Sequence, residues 1–170
     1  MEIAIIIAAM AVQRNSILLY VVRHGLAHTQ GEDGDRTLTD SGHDEIEVIA
    51  RWAAGAGVEP RQIRHSGKRR AEESASILQD RLAAEEGVVA ADGLAPDDDV
   101  RIVAQSLQTE QRSLMLVSHL PFVRRLTSFL LLQDADRDLI DFPTGAIACL
   151  ARTGEDWRLI WLVTPALARR

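Results

Sequence analysis

Strands and helices that alternate along the chain predict an α/β domain, a three-layer α/β/α sandwich whose sheet is mainly parallel with an antiparallel edge. Three observations lead there. Short continuous apolar runs of strand-forming residues, Ile17 to Val22 and Leu114 to Val117, are separated by segments with helical apolar spacing. A last pair of strand-like runs flanks Thr153-Gly154-Glu155-Asp156, a turn sequence. With 170 residues and 46% hydrophobic composition, the chain can bury one substantial core, and a single domain is expected over residues 16–165.

Ile17 to Val22 reads as a strand buried on both faces, and it stops at Arg23-His24-Gly25. Gly31 to Asp40, "GEDGDRTLTD", is polar and glycine-bearing, a loop leading to a helix capped near Asp40 or Ser41. Ile46, Ile49, Ala50 and Ala53 form that helix's apolar face, and Gly55 and Gly57 end it. Gln62 to Ser66 is a second strand, after which Ala71, Ala75, Leu78 and Leu82 mark the inner face of another helix. Val88 to Ala91 is a short strand, followed by the acidic loop Asp92 to Asp99 and a helix over Val100 to Leu107. Leu114 to Val117 is again a buried strand, closed by Ser118-His119. Pro121 suits the first turn of a helix carrying Phe122, Val123, Leu126, Phe129 and Leu130. Ala146 to Leu150 and Trp157 to Val163 form the closing antiparallel hairpin.

The formal charge of -6 gives no overall attraction to nucleic acid or to an anionic membrane, so neither is expected as a partner and any anion site must be a local cluster. Cys149, the single cysteine, excludes a disulfide within the chain and lies in the apolar run Ala146 to Leu150, where a free buried thiol is expected. This fits a reducing, cytoplasmic setting, and a monomer is the expectation. Met1 to Val12, "MEIAIIIAAMAV", lacks a basic leading segment and is too short to span a bilayer. It reads as an extra element, a loose tail or residues upstream of the fold proper, so residues 1–15 are treated as an apolar extension.

In sheets of this kind ligands bind beyond the carboxyl ends of the strands. That rule selects Arg23-His24, Ser66 and the residues after it, and Ser118-His119. Two histidines and several arginines at one sheet edge suggest phosphate chemistry. Arginine offers a planar fork of donors to phosphate oxygens, and a neutral imidazole nitrogen can attack phosphorus. Gly25 suits a sharp turn beside the histidine, and a helix starting near Pro121 would bring its positive end to His119.

These segments, "RHG" after the first strand, then "RTLTDSG", "HSGKRRAEESA" and "VSHLP", resemble the histidine phosphatase superfamily, whose fold is phosphoglycerate mutase-like. Within it the small size and local texture resemble the SixA-type protein-phosphohistidine phosphatases. The resemblance runs from about Ser16 to Val163, and four matches in order are far more specific than "RHG" alone. It implies that His24 is a nucleophile that becomes transiently phosphorylated. It implies further that Arg23, Arg70 and His119 hold the phosphoryl group, without metal or other cofactor. Arg70 rather than the adjacent Arg69 matches the motif, because Ser66 and Ala71 then fall in place. Ser66, Leu120 and Arg36 are further candidates for substrate contact, with an ordinary surface position the alternative for Arg36.

Gly67 and Ser74 stand where the motif often has proline and threonine, and Leu26 where relatives often carry an acid. In the loop after the third strand, where many superfamily members place a general acid, Gly93 occupies about that position, with Asp92 and Asp97 nearby. An alcohol leaving group has a pKa comparable to the roughly 16 of water and needs a proton donor. Imidazole, with a conjugate-acid pKa of about 6.5, needs much less help. A missing acid therefore favours phosphohistidine, and the partner implied by the resemblance is a phosphohistidine-bearing protein such as a histidine phosphotransfer domain. The alternatives are a phosphomonoesterase or mutase for a small metabolite and a non-catalytic phosphate-binding module.

The other notable residues have plainer readings. His43 and His65 are read as structural, and His28 as a surface residue or a pocket-lining one. Ser66 lacks the G-x-S-x-G context of a nucleophile. Asp97-Asp98-Asp99 lacks the spacing of a calcium loop, and Trp52, Trp157 and Trp161 are core or rim residues.

Overall fold

The computed structural model describes residues 16–33 and 35–170; the apolar extension over 1–15 and Gly34 lie outside the described residues. Six strands, β1 (Ile17–Arg23), β2 (Gln62–His65), β3 (Val88–Ala90), β4 (Leu114–Ser118), β5 (Ile147–Thr153) and β6 (Asp156–Val163), form one sheet in the order β3-β2-β4-β1-β5-β6. β3, β2, β4 and β1 are mutually parallel, and β5 pairs antiparallel with both β1 and β6. The described helices are α1 (Asp40–Gly55), α2 (Arg69–Leu82), α3 (Val100–Thr109), α4 (Phe122–Leu132) and the short α5 (Pro165–Ala168), a further turn beyond the expected elements, capped by Thr164.

Two cores, one on each face, make the three layers. Side chains alternate across a strand, so Tyr20 and Val22 of β1 join Ile46, Ile49, Ala71 and Leu78 of α1 and α2. Leu19 and Val21 join Val100, Leu107, Phe122 and Leu126 of α3 and α4 on the other face. Because both faces are covered, β4 has no exposed residue along its whole length and had to be apolar throughout. Ile46 and Ile49 are 0% exposed, each contributing about 2 kcal/mol by burial. Cys149 lies in the α1/α2 core, where burial pushes its thiol up to about 12.

Two local expectations are corrected. The N-cap of α1 is Thr39, not Asp40 or Ser41; its hydroxyl accepts the Gly42 N–H at 3.0 Å, so the helix begins at Asp40 itself. Pro121 stands just before α4 rather than inside its first turn. The C-terminal end of α3 is closed by Arg152 of β5. This buried side chain donates to the carbonyls of Leu107 at 2.7 Å and Glu110 at 2.6 Å, and to that of Gln108. A cation there meets carbonyls that lack intrahelical partners. No described helix is long and apolar enough to cross a membrane.

Candidate active site

Adjacent β1 and β4 end in register, Arg23 opposite Ser118, and the chain leaves them toward different faces, β1 into α1 and β4 into α4. That divergence opens a crevice at the carboxyl edge of the sheet. The His24 N–H donates to the Ser118 carbonyl at 3.0 Å, and the rings of His24 and His119 face one another with centroids 4.8 Å apart. Arg70, in the first turn of α2, arrives from beyond β2 on the other side of β4. The cavity here measures about 250 Å³ and is lined by Arg23, His24, Leu26, Ala27, Arg36, Arg70, His119, Leu120 and Thr144.

Two bonds define the state of His24. Its Nδ1 lies 2.6 Å from the Gly25 carbonyl, an acceptor only, so Nδ1 carries the proton. The Arg70 Nε–H donates to Nε2 at 3.3 Å, so Nε2 carries the lone pair. Both bonds require the same neutral tautomer. Burial first, and then the charges of Arg70, Arg23 and Arg36, lower the imidazole to about 4 against the opposing Gly25 bond. The site thus holds an imidazole with an unprotonated nitrogen among guanidinium groups.

His119 contributes differently. Its Nε2 lies 2.5 Å from Ser66 Oγ, while Nδ1 is buried with no hydrogen-bond partner among the described residues. Burial first, then the neighbouring His24 and Arg70, hold it neutral with its pKa lowered to about 2. The Val123 N–H donates to the His119 carbonyl at 2.9 Å, which fastens the histidine to the first turn of α4. Arg23 donates from Nη1 to the Phe142 carbonyl at 2.7 Å, and its Nε is buried without an acceptor, as is that of Arg36. Three nitrogens around one small cavity therefore lack partners among the described residues. Buried polar groups are ordinarily satisfied, so the arrangement suits an oxygen-rich anion.

Gly25 is required for a different reason than the turn. A Cβ there would lie 2.4 Å from the Gly42 carbonyl oxygen and 2.9 Å from Ile46, and a Cβ on Gly42 would lie 2.0 Å from the Leu26 oxygen. The two glycines let α1 press directly onto the strand end that carries His24. Ser74, buried in α2, accepts the Gly25 N–H at 3.2 Å and donates to the Arg70 carbonyl at 2.7 Å, tying the two motifs together.

Of the residues singled out from sequence, Arg23, His24, Arg36, Arg70, His119 and Leu120 line the cavity. Ser66 reaches it only through His119. Arg69 lies outside, its side chain 58% exposed and paired with Glu72 and Glu73. His28 and His43 are exposed, whereas His65 is buried and its Nδ1 accepts the Gly67 N–H at 3.2 Å. Asp92 and Asp97 are exposed and do not line the cavity; indeed no carboxylate does among the described residues. Gly93, at φ +81°, turns the chain there.

Sequence reasoning missed Thr144, for which no pattern existed, and a cluster at the rim around Asp33. Arg70 donates to Asp33 from Nη2 to Oδ1 at 3.0 Å and from Nη1 to its backbone carbonyl at 2.5 Å. Arg36 and Lys68 also bond its carboxylate. Lys68 stood inside the basic motif "SGKRRAEES", but nothing distinguished Asp33 from the other acids of its loop. No group of three or more histidine, cysteine, aspartate or glutamate side chains stands together as a metal site among the described residues.

No family model matches the chain. The phosphohistidine phosphatase SixA of Escherichia coli strain K12 is 32% identical over 115 residues, which span 65% of this chain and 71% of that protein. The structure of the protein histidine phosphatase SixA complexed with tungstate superposes with a TM-score of 0.81 at 28% identity, covering 88% of this chain and 98% of the other. The SixA homologue from Agrobacterium tumefaciens gives 0.74 at 27% identity, covering 88% and 98%. This chain therefore belongs to the SixA branch of the histidine phosphatase superfamily and is a phosphatase.

Proposed function

We propose that this phosphatase is metal-independent and removes phosphate from a histidine-phosphorylated protein through a phosphohistidine intermediate on His24. The observation that carries the reading is the double constraint on that imidazole: Gly25 holds the proton on Nδ1 and Arg70 faces the lone pair on Nε2.

In the first step Nε2 attacks phosphorus in line, a bond from Nε2 to phosphorus forms, and the bond from phosphorus to the substrate imidazole breaks. The substrate ring, protonated on its other nitrogen, leaves with the electron pair of the broken bond as neutral imidazole. Water then attacks the phosphorus of phospho-His24, and the bond to Nε2 breaks, giving inorganic phosphate and the free histidine. Arg23 and Arg70 neutralise the phosphoryl oxygens, and His119 donates from Nδ1 while Ser66 holds its other nitrogen. Binding of the phosphoryl group turns the Arg70 donors from His24 and Asp33 onto its oxygens, which frees the Nε2 lone pair and leaves the donors aimed where charge shifts in the transition state. The positive charge a metal would bring is supplied by arginine.

The absence of a carboxylate from the cavity wall among the described residues supports the substrate class. Imidazole can leave without a positioned acid, and an alkoxide cannot. The partner fits as a histidine phosphotransfer domain or a protein like it, in keeping with what the SixA relatives are named for. The test is phosphate loss from a phosphohistidine-bearing protein, beside a sugar phosphate, in a metal chelator, with wild type and His24→Ala. Chelator-resistant, His24-dependent loss from the protein is the expected result. Preference for the sugar phosphate would move the assignment to a metabolite phosphatase, and activity in a folded His24→Ala variant would remove the nucleophile.

A further inference from the structure

The loop between β1 and α1 is fastened at its base. Ala27 bridges Leu38, the His28 N–H donates to the Thr37 carbonyl at 3.0 Å, and the Leu38 N–H donates to Glu73 of α2 at 2.7 Å. From this base Asp33 reaches the cavity rim, its side chain half exposed. It does not line the cavity. Its carboxylate instead stands behind the cations that do, taking Arg36 and Arg70 on Oδ1 and the neighbouring Lys68 on Oδ2. Those three bonds hold the carboxyl far below the usual carboxylate range, so it is an anion at every working pH and has no proton to give.

Arg70 has therefore committed each arm of its fork, Nε to His24, Nη1 to the Asp33 carbonyl and Nη2 to the Asp33 carboxylate. A phosphoryl group that takes this guanidinium in bidentate fashion must draw donors away from Asp33. Even where Asp33 stays, its charge lies one hydrogen bond behind both arginines and lowers the positive potential of the cavity. Competition and neutralisation act in the same direction.

We propose that Asp33 is a built-in counter-anion that sets the phosphate affinity of the site low. It thereby favours phosphoryl groups presented on a protein, which bring binding surface of their own, over free phosphate and small phosphate esters, and it speeds release of the product. The inference rests on the phosphatase reading above and assigns Asp33 a tuning role toward the substrate, acting through Arg36 and Arg70.

The test is binding of inorganic phosphate, by calorimetry, to the full chain and to Asp33→Asn, which keeps the backbone carbonyl and the side-chain shape but removes the charge. The expected result is binding about tenfold tighter in the variant, the size of one charge-assisted hydrogen bond. Phosphate should also inhibit turnover of a phosphohistidine protein at about tenfold lower concentration. Asp33→Glu keeps the charge and should stay close to wild type. Were Asp33 merely a prop for Arg70, Asp33→Asn would bind phosphate equally or more weakly, and that outcome overturns the proposal. Wild-type binding unchanged by the substitution removes this inference alone, whereas phosphate binding by neither protein removes the phosphatase site with it.

Discussion

Acidification should destabilise the wild-type protein by about 3 kcal/mol more than it destabilises His24→Asn. The ordinary histidine value of 6.5 applies to the unfolded chain, while burial among arginines lowers His24 to about 4 in the fold. Between those values the unfolded state binds a proton that the native state refuses, so falling pH favours unfolding. The stability in question is intact above about 6.5 and is lost progressively as pH falls toward about 4. At about 1.4 kcal/mol per pH unit the loss over that window comes to about 3 kcal/mol.

Asparagine is the informative replacement, because its amide can donate to the Gly25 carbonyl as Nδ1 does and yet cannot titrate. His119 is held down in part by His24, so the comparison reads the coupled histidine pair, while groups remote from the pair contribute alike in both proteins. Urea unfolding midpoints measured from about pH 7.5 down to about pH 4, with the denaturant slope checked for constancy, give the quantity directly. The same neutral imidazole predicts that kcat/KM holds through pH 6.5 and bends only near pH 4. Identical pH slopes in the two proteins, or an acid limb at about 6.5, would refute the buried, neutral nucleophile.

The other predictions concern how the site is held. Arg70→Lys keeps a charge but loses the fork that reaches His24 Nε2 and the Asp33 groups, and should lower kcat/KM about a hundredfold with the melting temperature little changed. Gly42→Ala forces a methyl to within 2.0 Å of the Leu26 oxygen, where only backbone can yield. It should cost about 3 kcal/mol or more in urea unfolding and depress activity together with stability. Arg152→Met strands the carbonyls that end α3, at the sheet edge remote from the histidines. It should cost about 2 kcal/mol in stability while leaving kcat of the folded protein at its wild-type level.

The candidate site was largely legible because its parts are local in sequence. Each lies where an apolar run stops, and a strand end in a parallel sheet delivers its next residues to a common edge. His24 and His119 could be placed at one sheet edge once Ile17–Val22 and Leu114–Val117 were read as strands, since each run is followed two residues later by a histidine. The rim was not legible. Asp33 is one of three acids in a short polar loop, and its partners are Arg36 of the same loop, Lys68 at the N-cap of α2 and Arg70 in its first turn. Charge patterns carry no period that would say which acid meets which cation.

By itself the amino-acid sequence determined the alternation of strands and helices, the two-faced burial of the central strands and the chemical inventory of the strand ends, because periodicity and apolar run length report burial residue by residue. Only the tertiary structure decided three further matters. Gly25 and Gly42 serve close helix packing rather than turning, the proton of His24 sits on Nδ1, and Asp33 stands behind the arginines. These depend on distances between residues far apart in the chain, which are set by how α1 and α2 seat on the sheet and leave no trace in local composition.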